Sequence, residues 1–414
     1  MCFLVGLLLM AASVDVKAQD HDARESSGTS WQPAATPMTG VHAEVGGWMF
    51  MGHAVVFGQF LYESGELHRT SQQAGSINWF MGMLRRPMGR GRIGLRAMLS
   101  VEPWTIAGCG YPDLLATGEV CDGDSIHDLQ HPHDLFMELA ADYERPISGS
   151  LRLHAYAGLA GEPALGPPAF PHRRSAMPNP IAPIGHHWLD ATHVSFGVVT
   201  AGVSGSRWRL EGSAFNGREP DDQRAGLEFA ALDSVSARVA LAPNDRWSLQ
   251  VSAGHLRESE AGLGSQPRQD VDRATASAIY VRPMTSGGSW ATTFAYGVNH
   301  DISAVPGGTI EQYTHAVLAE SSLRSASGRH HWFGRFEVVG KPAHDLHVHE
   351  YITEIFTVGK GQVGYLHQFA RWHGWSPGIG GHLNVSLVPP RLAPRYGGRV
   401  APGFGVFFNL QPAS

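Results

Sequence analysis

Histidine and acidic residues gather in two short stretches of this 414-residue sequence. Imidazole and carboxylate groups can together bind Zn(II), Cu(II) or Ni(II) without a thiolate ligand. The alternative is that these side chains hydrogen-bond to one another and to the backbone of their own loops. Both interpretations stay open for the candidate ligands, which are His131, His133, Asp134, His186, His187 and His193.

A second candidate set consists of softer metal ligands than the first. Met49, Met51 and His53 alternate along one segment, so all three side chains would lie on one face of a strand. Two thioethers and an imidazole favour Cu(I). The alternative is packing against an inward-folded loop, because Met fills irregular gaps in protein interiors.

The second histidine stretch belongs to an unusual segment, Gly161–His193, which contains seven prolines. Proline removes a backbone donor, so this segment cannot pair into a sheet, and loops of about thirty residues are usually functional. We expect the loop, residues 161–191, to fold into a hollow interior and constrict it. The predicted constriction residues are His172, Arg173, Arg174, His186, His187 and Asp190.

The surrounding segments alternate between apolar and polar residues, as strands of a membrane barrel do. In Arg92–Glu102 and Leu151–Leu159 one face is apolar and the other carries Arg, Glu or His. Lipid would meet the first face and a polar lumen the second. The charged groups of the lumen would select permeant ions, or would merely pair with one another. The predicted pore-wall residues are Arg92, Arg96, Arg152, Glu138 and Asp142.

The links between these segments alternate between short turns and long loops. Short turns at the periplasmic rim and long loops at the outer rim are typical of bacterial outer-membrane barrels. This assignment includes a turn at Gly359–Gly361 and a loop at Asp301–Ile310. The sequence therefore predicts an all-β protein, a transmembrane antiparallel up-and-down β-barrel of about sixteen strands with a long inward-folded loop.

Composition agrees with this assignment. Charged residues make up 16% of the chain, glycine occurs 50 times, and the net charge of −6 gives no sign of nucleic-acid binding. Residues 1–18 read as a secretory signal peptide, residues 19–40 as a disordered periplasmic lead, and residues 41–414 as the barrel. Export permits a disulfide between Cys109 and Cys121.

The hairpin order, the short turns and a long loop after the fifth strand resemble a porin-type outer-membrane barrel. Two phrases also resemble an uncharacterised group of proteobacterial outer-membrane proteins associated with heavy-metal resistance, which implies a metal theme. They are HPHDLFMELAADYERP (131–146) and SAMPNPIAPIGHHWLDATH (175–193).

We therefore expect an outer-membrane channel for passive diffusion of small polar or charged solutes, constricted by loop 161–191. One alternative is a barrel that binds or exports a metal such as copper within a metal-resistance system, and another is a plugged structural barrel. No hydrolase elbow, phosphate loop or His-Glu-x-x-His motif occurs, so an enzyme is not expected. No cofactor is required, apart from a copper or zinc ion under the metal alternative. The expected partners are membrane lipid, solutes or ions, and the barrel assembly machinery, with no nucleic acid and a homo-oligomer left open.

Overall fold

The computed structural model describes residues 23–37, 40–66, 69–189, 194–261, 267–285, 287–305, 307–351 and 353–413. The predicted signal peptide lies outside these residues, as do Asp190 and His193. Among the helices of the described residues, none has the length and apolar character that crossing a membrane requires.

Strands dominate the described chain. In chain order they are β1 (Val41–Val45), β2 (Trp48–Glu63), β3 (Ser71–Met88), β4 (Gly91–Leu99), β5 (Tyr111–Cys121), β6 (Asp124–Gln130), β7 (Phe136–Ser148), β8 (Leu151–Ala160), β9 (Val198–Ser204), β10 (Trp208–Phe215), β11 (Ser234–Leu241), β12 (Trp247–Glu260), β13 (Gln269–Pro283), β14 (Ser289–Val305), β15 (Gly308–Arg324), β16 (His330–Pro342), β17 (Ile355–Gln368), β18 (Trp375–Leu387) and β19 (Val400–Pro412). The short helices are α1 (His186–Leu189) and α2 (Ala393–Tyr396), and single 3₁₀ turns lie at Glu102–Trp104, Phe170–His172 and His349–Tyr351.

Sixteen of these strands form one closed antiparallel barrel, which confirms the predicted fold class and strand number. The barrel closes where β19 pairs with β2, from Gly403 opposite Glu63 to Leu410 opposite Val56. Each wall strand otherwise pairs with the next wall strand in the chain, as an up-and-down barrel requires.

Three strands are additions to the wall. β1 forms a hairpin with β2 across Gly46 and Gly47, whose φ angles of 58° and 75° suit glycine at a two-residue turn. β5 and β6 form a separate hairpin inside the link between β4 and β7. A disulfide joins Cys109 and Cys121 at this hairpin.

The two faces of the wall differ as a membrane barrel requires. On β8, Leu153 and Leu159 point outward and are 47% and 55% exposed, whereas His154 and Tyr156 point inward and are buried. Outward tryptophans lie near the short turns, among them Trp290 and Trp332. An apolar outer band with aromatic residues at its rim is the surface that lipid covers.

The predicted alternation of turns and loops holds, with two differences. Gly359–Gly361 was expected to be a turn but lies inside β17, where Gly359 pairs with Leu387 and Gly361 with Phe336. The link expected at Asp301–Ile310 is short, because β14 and β15 pair as far as Val305 and Gly308. Glycine permits a turn but does not require one, so Gly359 and Gly361 remain inside a strand. In Asp301–Ile310 the strand pairing continues up to the turn, which makes this link shorter than expected.

The N-terminal segment is a correction. Residues 23–37 were expected to be part of a disordered periplasmic lead, but they fold into the lumen. Gly28 accepts a hydrogen bond of 2.6 Å from Arg96, and Thr29 accepts one of 2.8 Å from Arg209. The backbone of Trp31 accepts one of 3.0 Å from Ser248. The inward-facing side chains of three separate wall strands therefore hold this segment, and none of them adjoins it in sequence.

Candidate functional site in the barrel lumen

The proline-rich loop crosses the lumen from wall to wall. Near its start, Ala164 and Gly166 donate backbone hydrogen bonds of 2.7 and 2.8 Å to serines on β10 and β12. Near its end, Ile184 and Gly185 donate to the carboxylate of Glu337 on β16 at 3.2 and 3.0 Å. Because prolines lack the backbone N–H that a sheet or helix needs, the loop forms little regular structure, and wall side chains hold it in place.

A buried ion-pair triad fixes the middle of the loop. Arg173 donates to Glu320 on β15 at 2.7 Å, and Arg335 on β16 donates to the same carboxylate at 3.1 Å. Ser175 donates to it at 2.9 Å. The predicted constriction residue Arg173 therefore serves as an anchor, since its side chain is fully buried.

Arg174 points away from this triad into a cavity of about 360 Å³ at the periplasmic end. Burial and the nearby Arg324 lower the pKa of Arg174 to about 10. Among the described residues that line this cavity there is no carboxylate. We call this cavity the inner vestibule. Its cationic and imidazole side chains are Arg174, Arg324, Arg329, His331 and Arg371.

At the other end of the loop, three predicted metal ligands come together. His186 and His187 lie on α1, and His131 lies in the link between β6 and β7. One ring nitrogen of each lies within 4.8 Å of one ring nitrogen of the other two. All three are buried, with ring centroids 4.3 Å apart for His186 and His187 and 5.8 Å apart for each with His131.

Carboxylates surround this His cluster, formed by His131, His186 and His187. Glu119 lies 3.3 Å from His131, and Glu219 lies 2.9 Å from His187. Burial lowers the pKa of His187 to about 3 and raises the pKa of Glu219 to about 7. Burial likewise lowers the pKa values of His131 and His186 well below the ordinary range, so the cluster is neutral at pH 7.

Two other predicted ligands lie elsewhere. His133 contacts Glu102 at 2.8 Å, and although burial opposes its charged form, this carboxylate raises its pKa. Asp134 faces Arg224 at 3.7 Å, and burial raises its pKa to about 8. These two residues therefore fit the alternative of polar contacts that fix the loops, and they do not join the His cluster.

The second candidate set, Met49, Met51 and His53, is only partly brought together by the fold. Met51 and His53 line a small cavity of about 90 Å³ together with His172 from the loop, but Met49 is not among its described lining residues. Met81 and Met83 on β3 line the same cavity. His53 packs edge-on against Trp79, and His172 contacts the sulfur of Met98 at 3.4 Å. These contacts match the packing alternative.

The predicted pore-wall charges form an ion-pair network. Arg96 lies 3.3 Å from Asp142 and 3.9 Å from Glu138, and Arg92 lies 3.4 Å from Glu144. Arg152 pairs with Glu144 at 2.6 Å, with half of its side chain exposed. Glu25 of the N-terminal segment adds a carboxylate that pairs with Arg85 and Arg92. Several of these wall arginines therefore bind the N-terminal segment.

Several residues that shape these sites were not predicted from the sequence. Met81 and Met83 alternate on β3 as Met49 and Met51 do on β2, so strand parity could have identified them. Arg324 and Arg329 lie at the short turn between β15 and β16. Glu119 and Glu219 carry no local signal, because only the folded loops bring them to the His cluster.

Comparisons with known proteins address the fold. No protein-family model matches the chain, and no curated protein matches its sequence. Among solved structures, an anion-selective porin from Comamonas acidovorans is 12% identical with a TM-score of 0.50, covering 88% of this chain and 99% of that one. The outer-membrane channel DcaP of Acinetobacter baumannii is 8% identical with a TM-score of 0.51, covering 90% and 100%.

OmpF of Salmonella typhi, solved in complex with daunomycin, is also 8% identical with a TM-score of 0.51, covering 89% of this chain and 100% of that one. Identities this low establish architecture alone. The closed barrel and its apolar outer face place the chain in the bacterial outer membrane. The chain therefore has the fold of the outer-membrane porins.

Proposed function

We propose that this protein is an outer-membrane channel for passive diffusion of small charged solutes, and that its proline-rich loop sets the narrowest section. The observation that supports this proposal is the course of the loop, which crosses the lumen and is tied to serines on one wall and to Glu320 and Glu337 on the other. A loop held at both walls narrows a lumen without depending on a moving lid. Catalysis is not part of this proposal.

We further propose that the channel prefers anions. The inner vestibule combines four arginines with a histidine, and no described carboxylate lines it. Fixed charge of one sign in a low-dielectric cleft raises the local concentration of ions of the opposite sign. One solved porin of this fold is anion-selective, which agrees with the proposal. Because that porin is only 12% identical to this chain, the proposal is based on the charges of the vestibule.

The test is the reversal potential of the purified protein in a planar bilayer under a KCl gradient. We expect the wild type to favour chloride. The triple variant Arg324→Gln, Arg329→Gln, Arg371→Gln should shift the reversal potential toward cation preference, because it leaves Arg174 as the only arginine among the described residues of the vestibule. All three substituted side chains lie at or next to short turns, so the barrel should still fold.

The matched control is Arg282→Gln. Arg282 lies on the same rim but is exposed on the outer face of β13, so the reversal potential should stay at the wild-type value. A cation-selective wild type would contradict the anion preference. A shift in the control of about one third of the shift in the triple variant would show that net charge, and not the vestibule, sets selectivity, because the control removes one charge and the triple variant three.

A plugged structural barrel is the second candidate function. Three segments enter the lumen, namely residues 23–37, the hairpin β5–β6, and the loop that contains α1. Lys360 on β17, for example, donates to Asp113 of the hairpin at 2.5 Å. Conductance that stays at zero in the wild type and in a variant without the loop would favour this second candidate.

A further inference from the structure

We propose that His131, His186 and His187 form a binding site for a divalent transition-metal ion at the outer end of the lumen. The three imidazoles come from two separate segments, and one nitrogen of each lies within 4.8 Å of one nitrogen of the others. An ion with metal–nitrogen distances of about 2.0 to 2.1 Å needs ligand nitrogens roughly 3 to 4 Å apart, so small ring rotations would suffice. This proposal does not depend on whether the barrel conducts.

Hydrogen bonds at Nδ1 fix the tautomer of two of the three rings. His186 Nδ1 lies 2.5 Å from the carbonyl of Pro183, and His187 Nδ1 lies 2.9 Å from the carboxylate of Glu219. His131 Nδ1 lies 3.2 Å from the carbonyl of Pro132. Because a backbone carbonyl can only accept, Nδ1 carries the proton in His186 and in His131. In these two rings the lone pair is then on Nε2.

This arrangement is the one that metal-binding histidines use. A ligating imidazole donates its other N–H to a carboxylate or a carbonyl, which fixes both tautomer and ring orientation. Here His131 and His186 each have such a partner, the backbone carbonyl of a proline in or beside the same loops, and a carboxylate oxygen of Glu219 lies 2.9 Å from Nδ1 of His187.

The electrostatic surroundings also favour a cation. An outer cavity of about 560 Å³, which we call the outer vestibule, reaches His187 and is lined by five carboxylates. Glu219 and Glu260 each place an oxygen within 4.8 Å of a nitrogen of His187. The opposing charges are Arg224, which pairs with Glu119, Arg268, which lines the same cavity, and Arg273, which lies 3.6 Å from Glu260. The carboxylates of the outer vestibule are Glu119, Asp124, Glu219, Glu260 and Asp345.

The ligand set defines the class of metal. Three imidazoles with carboxylates nearby suit Zn(II), Cu(II) or Ni(II), whereas Mg(II) and Ca(II) prefer sites made of oxygen alone. The two cysteines of the described chain are joined in a disulfide, so no thiolate competes. Three protein ligands leave a fourth position for water or a vestibule carboxylate, as in open zinc sites.

The test is calorimetric titration of the metal-stripped protein in detergent with ZnCl₂, and with MgCl₂ as the ion that should not bind. We expect one Zn(II) per chain in the wild type. His186→Gln should weaken Zn(II) binding about 100-fold or more, since loss of a ligand costs at least as much as loss of its outer-shell partner. Absence of stoichiometric binding in the wild type would overturn the proposal.

The matched control is His133→Gln. His133 lies two residues from His131, but its ring contacts Glu102 instead of the cluster, so Zn(II) affinity should stay within about twofold of the wild type. Equal losses in His186→Gln and His133→Gln would contradict the assignment. Barrel integrity in each variant is checked by the shift in electrophoretic mobility on heating.

A second measurement avoids variants altogether. Electron paramagnetic resonance of wild-type protein loaded with one equivalent of Cu(II) should show nitrogen hyperfine structure from imidazole ligands. A spectrum with oxygen ligands alone would overturn the proposal even if metal binds. This readout also remains valid if substitutions in the buried cluster prevent folding.

Discussion

Glu320 shows how strongly single residues tie the loop to the wall. Its carboxylate accepts from Arg173, Arg335 and Ser175, and the groups around it are buried. Removing one partner of a buried charge network costs more than the network contributes, because the remaining charges stay desolvated. The loop position thus depends on one side chain that is 147 residues away from Arg173 in sequence.

We predict that Glu320→Gln lowers the free energy of unfolding by about 3 to 5 kcal/mol, because two buried guanidinium groups lose their counter-charge. Urea unfolding in lipid vesicles, followed by tryptophan fluorescence, measures this change. The control is Glu311→Gln on the same strand, whose side chain is 60% exposed and pairs with His300. The control should stay within about 0.5 kcal/mol of the wild type. Equal effects would show that the triad does not anchor the loop.

His172 provides a test based on pH. Burial lowers its pKa to about 4, from an ordinary value of 6.5. Between these values the unfolded chain binds a proton at this residue and the folded chain does not, so its effect on stability becomes unfavourable as pH falls from about 6.5 to 4. The charged or titratable groups nearby are Glu25, His53, Arg96, His133, Glu138 and Glu162.

We therefore expect His172→Gln to reduce the loss of stability between pH 6.5 and pH 4 by up to about 3 kcal/mol relative to the wild type. Urea unfolding at a series of pH values gives the difference between the two proteins, in which the other titrating groups largely cancel. Parallel curves for both proteins would contradict the buried, neutral state of His172.

At the scale of elements, strand parity and link length predicted the barrel because both depend on local sequence. Ile93, Leu95 and Ala97 alternate with Arg92, Gly94 and Arg96 because lipid and lumen impose a period of two. The position of residues 23–37 could not be predicted in this way. Their partners are side chains of β4, β10 and β12, which no pattern within the segment reveals.

The candidate site was predictable to a similar extent. His186 and His187 adjoin in sequence, and the hairpin order brings His131 to the same side of the barrel. The contacts of His133 and Asp134 were not predictable from local sequence, because their partners, Glu102 and Arg224, lie in other loops. Local sequence thus identifies the candidate ligands, and long-range packing determines which of them come together.

The proposed metal site also makes a prediction about elements. A bound ion would connect α1 with the link between β6 and β7, and it would stabilise only the folded state. At a free Zn(II) concentration 100 times the dissociation constant, the gain is about 2.7 kcal/mol. Thermal unfolding should show a higher midpoint with Zn(II), reversed by EDTA and absent in His186→Gln. An equal shift with Mg(II) would indicate a general ionic effect.

At the scale of the whole molecule, the two ends of the lumen differ in charge. The outer vestibule carries five carboxylates, and the inner vestibule carries four arginines. The loop that crosses the lumen contributes to both, through His187 at the outer end and Arg174 at the inner end. The loop therefore lines both vestibules. Under the proposed function it also forms the narrowest part of the channel between them.

The most direct test of this account removes the loop and measures conductance. Gly161 and Ser195 form a pair of backbone hydrogen bonds, at 3.1 and 2.9 Å, so residues 162–194 can be replaced by Asn-Gly, which suits a two-residue hairpin turn. Single-channel recordings in a planar bilayer should show a small steady conductance for the wild type and a several-fold larger one for the variant. Equal conductance in both proteins, or no conductance in either, would contradict the claim that this loop narrows a working channel.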